Sequence, residues 1–428
     1  MKKYFSVILI AVAIIACLKI ASRHRVNVSS ELSELLESKQ FFKARDVYNK
    51  EYSHLEAFDQ LLFGSHINNI FNHLELSNSN ISDILKQYPS QLTEKQICEL
   101  LSIKLENSVK LFDYKQVVDV ANILLTKHKD SLSVKEIGDY NNAINMWQPL
   151  VETPKQKVTI YENSDVAIKV DKIGLKNIPV ETNVGEVDFL FDTGANVSVI
   201  SRSMAEKLDL RVFDNSFKVS TITGKRVNAS IAVAPKLRIS HILITNAVFM
   251  VFDDENLSFP SLNYKINGII GFPIFTAMGE IQITHDNHFI VPKVMTHSSL
   301  HNLAINFLNP VIHLKTTDDY IDCTLDTGAD TSILYDNYFV SHKEDIEKDY
   351  EIKDLKIGGA GGGVISQKGY EISLTPVING KKVKLEHINV FTAPIKKSNK
   401  FAGNIGQDLI GKYDKIILNF KDMFVEFK

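Results

Sequence analysis

Phe191-Asp192-Thr193-Gly194-Ala195-Asn196 and Leu325-Asp326-Thr327-Gly328-Ala329-Asp330 are two copies of one short pattern in a chain of 428 residues. Each follows a strand-like apolar run, Val187-Asp188-Phe189-Leu190-Phe191 in the first case and Ile321-Asp322-Cys323-Thr324-Leu325 in the second. Each is followed by a serine six positions beyond its aspartate, Ser198 and Ser332. A single Asp-Thr-Gly is an ordinary turn. Two in matched surroundings indicate two carboxylates brought together by two copies of one structural unit.

The match extends well past the motif. The aspartates are 326 − 192 = 134 positions apart. Ile269-Ile270-Gly271 ends 271 − 192 = 79 residues beyond the first, and Asn404-Ile405-Gly406 ends 406 − 326 = 80 residues beyond the second. Thr223-Gly224 and Gly358-Gly359 fall between these landmarks, at 224 − 192 = 32 and 359 − 326 = 33 residues past their aspartates. The runs before the motifs read as hairpins: Ile178–Thr182 returning through Val187–Phe191, and Asn309–Leu314 returning through Tyr320–Leu325. In the first return strand, period-two alternation puts Val187, Phe189 and Phe191 on one face.

Paired carboxylates have a definite chemistry. Two carboxyl groups a hydrogen bond apart do not easily both ionise, so they share a proton. One can then draw a proton from water while the other protonates a carbonyl oxygen or a leaving nitrogen, which suffices for amide hydrolysis without a covalent intermediate. The pair titrates as a unit, so the sequence assigns Asp192 and Asp326 jointly and leaves open which one starts charged. Gly194 and Gly328 allow a tight turn and a close approach of backbone N–H groups to the carboxylates. Ser198 and Ser332 are expected to satisfy local backbone groups.

On these motifs, residues from about 160 to 428 resemble the retropepsin-like aspartic proteases, with two lobes fused in one chain. Ile269-Ile270-Gly271 fits that family's second landmark; Asn404-Ile405-Gly406 departs from it, with a polar residue at the first apolar position. The resemblance implies a small closed β-barrel per lobe and an active site between lobes, with Asp192 and Asp326 catalytic. It implies that Thr193 and Thr327 hydrogen-bond across the interface and that Ala195 and Ala329 leave room for a substrate backbone. Asp330, with Asn196 as its positional partner, is implied to help hold substrate. The glycine-rich run from Gly358 and Gly359 onward lacks a phosphate-loop ending. Its place matches the family's flap, with the segment around Gly224 as partner flap. The activity implied is an aspartic endopeptidase acting on a peptide or protein substrate, with no cofactor and no metal. The alternative is a non-catalytic peptide-binding or regulatory module on the same fold.

Composition is that of a globular protein, 44% hydrophobic and 23% charged. With 48 Lys+Arg against 51 Asp+Glu there is no basic excess to neutralise phosphates, which argues against nucleic acid as a partner. Lys2 and Lys3 precede an apolar run from Tyr4 to Leu18, shorter than the roughly 20 residues of a membrane span, which reads as an export signal or short anchor. Ile14-Ile15-Ala16-Cys17 resembles a lipoprotein box, making Cys17 a lipidation candidate. An extracytoplasmic, membrane-held location is expected. Three cysteines, Cys17, Cys98 and Cys323, make no disulfide framework.

Helical spacing appears in Phe41–Tyr48, Gln96–Leu105 and Tyr114–Leu125, with Ser30 a candidate cap of an earlier helix. These pieces look like paired antiparallel helices, loosely similar to tetratricopeptide arrays, and offer a surface for a protein partner. The expected fold class is therefore multidomain: an N-terminal all-α helical-hairpin domain followed by two all-β retropepsin-like acid-protease barrels forming one bilobal unit. The expected order is signal or anchor at 1–25, helices at 28–150, linker at 151–158, first lobe at 159–295 and second lobe at 303–428.

Overall fold

The N-terminal part is built of helices joined by tight turns. A computed structural model describes residues 27–220, 226–317, 319–358, 364–395 and 400–428. The export segment, with Cys17, lies outside the described residues. Among those described, no helix is long and apolar enough to cross a membrane. Residues 27–37 are helical, and helices follow at Phe41–Glu51, Ala57–Ile70, Leu74–Gln87, Glu94–Lys110, Tyr114–Lys127 and Val134–Trp147. Ser30 is not a cap, because the chain is already helical three residues earlier; its hydroxyl instead meets Glu34 one turn on. Three helices end on the same turn, with Lys39, Asn72 and Phe112 in the left-handed region at φ 59°, 61° and 54°. In each, the next residue's N–H reaches back five positions to a helical carbonyl, Leu35, Asn68 or Ser108, satisfying an acceptor that the helix end would leave open.

The described residues divide into two compact units between Ile103 and Lys104. In the first, Leu62, Ile81, Ile84, Leu100 and Ile103 form a buried cluster. The second carries the last helices and all the strands. There Trp147 is buried and stacks on Tyr114 at 5.5 Å between ring centroids. Asn142 covers an open strand edge, donating to the Lys218 carbonyl at 3.1 Å and accepting from its N–H at 3.0 Å. This polar lid on the Phe217–Ser220 strand satisfies groups that would otherwise be a template for another chain.

Both motif strands sit in the same local pattern. Gly185–Asp192 pairs antiparallel with Lys176–Thr182 and parallel with Gly268–Gly271. Tyr320–Leu325 pairs antiparallel with Asn309–Lys315 and parallel with Gly403–Ile405. Each Gly-containing strand also pairs antiparallel with the short strand after its motif, Ser198–Ser201 or Ile333–Leu334. The end of the first motif strand is also covered on both faces: Phe189, Leu190 and Phe191 are all in the core, so the alternation read from sequence stops at Leu190. In the first half the strand order returns on itself, because Arg226–Ile239 pairs with both Ile242–Phe252 and Lys176–Thr182. Among the described residues the second half forms one eight-stranded sheet.

A separate five-stranded sheet ties the halves together by pairing Glu280–Thr284 with Lys415–Asn419. Glu280 is fully buried at its start and collects four donors: Gln282 Nε2 at 2.7 Å, Thr296 N at 2.6 Å, Thr296 Oγ1 at 2.9 Å and Asn419 Nδ2 at 3.0 Å. A buried carboxyl is tolerated only when its oxygens are saturated in this way. Replacing Glu280 by Ala takes the acceptor from donors on buried Gln282 and Asn419 and on half-buried Thr296. It is expected to lower the unfolding free energy of this unit by about 3 kcal/mol or more, read from the denaturant midpoint of Trp147 fluorescence.

Candidate active site

The two Asp-Thr-Gly loops meet head to head. Thr193 N donates to Thr327 Oγ1 at 3.0 Å, and Thr327 N donates to Thr193 Oγ1 at 3.0 Å. Each hydroxyl then donates to the carbonyl that precedes the other aspartate, Thr193 to Leu325 at 3.0 Å and Thr327 to Phe191 at 3.5 Å. Both threonines are buried, so these bonds compete with little water. The result is a two-fold clasp in which each loop supplies the other's partners.

The clasp sets the aspartates side by side. Gly194 N donates to Asp192 Oδ1 at 2.7 Å, and Gly328 N to Asp326 Oδ1 at 2.8 Å. The glycines are required by space. A Cβ on Gly194 would lie 2.6 Å from Asp326 Cγ, and one on Gly328 would lie 2.5 Å from Asp192 Cγ. Each glycine thus makes room for the opposite carboxyl. Burial, and then the neighbouring Asp326 charge, hold the Asp192 carboxyl well above the usual carboxylate range, against the lowering effect of the Gly194 and Ala195 amides.

Behind the loops, Ser198 and Ser332 do more than satisfy their own turns. Ser198 Oγ accepts from Gly271 N and Ser332 Oγ from Gly406 N, both at 3.0 Å. Ala195 O accepts from Phe272 N and Ala329 O from Gln407 N, both at 2.9 Å. These bonds fasten each motif loop to the distant Gly strand, so the expectation of purely local partners for the serines is corrected. The sequence shows a Ser six residues past each aspartate but not which distant N–H it meets. Ser332 makes a further bond, to Asp408 Oδ1 at 2.6 Å.

The remaining candidates are placed as follows. Ala195 and Ala329 are half-buried in the loops, and Asp330 is exposed. Gly358 ends the strand Ile352–Gly358, opposite Val364 in a hairpin with Val364–Leu374. The matching hairpin of the first half closes on the pair Ser220 and Arg226. Gly224 and Gly359 lie outside the described residues. Cys323 is fully buried in the second motif strand, where burial pushes its thiol up and out of reactive range. Asn404, which the sequence marks only as a departure, has its amide 3.4 Å from Asp326 Oδ2.

A protein-family model described as an aspartyl protease matches residues 178–274, from the first hairpin to the helix after Gly271. The match contains Asp192 and its landmark Gly271, and supports a protease-type protein at the level of the family; Asp326 lies beyond it. No curated protein matches the chain.

The raised Asp192 makes a linkage prediction. A carboxyl whose folded value exceeds its unfolded value binds more protons in the folded state, so stability falls as pH rises through the interval between the two. Asp192→Asn removes that loss. The variant is expected to match the wild type in strong acid and to become progressively more stable than it as pH rises above the usual carboxylate range, measured by unfolding at a series of pH values.

Proposed function

We propose that this chain is an aspartic endopeptidase whose single active site is formed by Asp192 and Asp326. The observation that carries the reading is the reciprocal clasp of Thr193 and Thr327, which holds two half-buried carboxyls side by side, each facing the glycine of the other loop. On this reading each half is a retropepsin-like barrel, and the two halves form one bilobal unit. One carboxylate takes a proton from a water molecule as its oxygen bonds to the peptide carbonyl carbon, and the other carboxyl gives its proton to the carbonyl oxygen. The first carboxyl then passes the proton it took to the peptide nitrogen as the C–N bond breaks, and one hydroxyl of the diol returns its proton to the second carboxylate, leaving a carboxylic acid, an amine and the original pair. The loops need no further chemistry of their own; their role is to hold the pair still. The hairpins at Ser220/Arg226 and Gly358/Val364 are the elements that would line the substrate groove, and they differ in composition, so the two ends of the groove differ in preference. The Lys2–Leu18 segment would deliver the enzyme across a membrane and keep it there, lipidated at Cys17, and the helices would offer a protein partner a surface.

The test uses the full chain and a mixed peptide library from acid to neutral pH. Asp192→Asn and Asp326→Asn are each expected to reduce cleavage by roughly 1000-fold or more, since each removes one of the two proton-transfer groups. Unchanged cleavage in either variant would sink the shared-pair mechanism, and peptide bound but never cut by the wild type would mark a binding module. Because both aspartates come from one chain, specific activity is expected to stay constant on dilution. A decline with dilution, as for an obligate dimer, would contradict the single-chain site.

A further inference from the structure

Around the aspartates the two halves share the threonine clasp, the glycine donors and the serine anchors, and they differ at the strand position two residues before each aspartate. On the first motif strand Leu190 stands across from Ile269. At the equivalent point of the second half Thr324 stands across from Asn404. A buried aliphatic pair has been replaced by a polar pair in which Asn404 is equally buried. The replacement is paired for a reason: Thr324 Oγ1 donates to Asn404 Oδ1 at 2.6 Å, which fixes the amide oxygen and turns the NH2 group toward the site. That group donates to Asp326 Oδ2 at 3.4 Å.

The backbone treats the two aspartates alike, each Oδ1 taking one glycine N–H. Asn404 adds a donor to one of them only. An amide N–H favours the ionised form of the carboxyl it meets, whereas Ile269 has nothing to donate. Other charges do not cancel this bias. Asp192 is the titratable group directly against Asp326. Asp322 is held by His313 at 2.6 Å, Asp408 by Ser332 at 2.6 Å, and Asp330 is exposed.

We propose that Asn404 is a positioning residue that breaks the symmetry of the pair, placing the resting negative charge on Asp326 and the shared proton on Asp192. Asp326 is then the base of the first step and Asp192 the acid. The assignment of those roles rests on the peptidase reading; the placement of the charge does not.

The experiment is a pH titration of carboxyl-labelled aspartate in the full chain by carbon NMR, with signals assigned by their loss in Asp192→Asn and Asp326→Asn. The wild type is expected to ionise Asp326 first. Asn404→Leu is expected to bring the two titrations together and to move the acid limb of the kcat/KM profile up by roughly half a pH unit or more. Thr324→Val, a near-isosteric change that frees the amide, is expected to act in the same direction and guards against misfolding of the first variant. Asp192 ionising first in the wild type, or titrations unmoved in both variants, would overturn the proposal. The NMR readout separates the two readings. Ordered ionisation without any cleavage would overturn the peptidase reading alone, and cleavage with symmetric titrations would overturn this one alone.

Discussion

Everything at the candidate site depends on two threonine hydroxyls exchanged between loops. Each is an acceptor for the other loop's backbone and a donor to the strand beneath it, so neither loop is complete alone. A hydroxyl can play both parts at once, which a valine of the same shape cannot. With both threonines buried, breaking one bond strands its partner out of reach of water, and the cost of that keeps the loops in register. The carboxyl pair, the glycines that make room for it and the serines that anchor each loop are arranged around this constraint.

The β-rich part was the more legible in sequence. Its hairpins form over the runs that the sequence indicates, because an extended apolar run is a local property. The joining of the two loops could be inferred from a repeat that kept register over four landmarks. The Ser198–Gly271 and Ser332–Gly406 bonds were hidden, since a serine six residues past a turn carries no sign of which distant backbone it will meet. Asn404 showed as an oddity, and Thr324 did not show at all; only the ladder register makes them a pair.

The helical part was read less completely. Ala57–Ile70 lacks a clean apolar stripe and contains Gly64, which looks like a breaker. In the structure that glycine is where the helix comes close to its neighbours: a Cβ there would lie 2.6 Å from Asn80 and 2.7 Å from the Tyr48 hydroxyl. Leu74–Gln87 is rich in Asn and Ser, which favour turns when read locally, and its helicity comes from Ile81 and Ile84 packing into the core. In both cases tertiary burial outweighs intrinsic propensity.

The Glu280–Thr284 and Lys415–Asn419 pairing joins the two halves within a single chain. In an assembly of two identical subunits every residue at the axis occurs twice, so a change that helps one side is imposed on the other. Covalent fusion lifts that rule. Thr324 and Asn404 are the kind of difference it permits: a substitution made once, beside one member of a pair, that a symmetric assembly could not have accepted without accepting it at both.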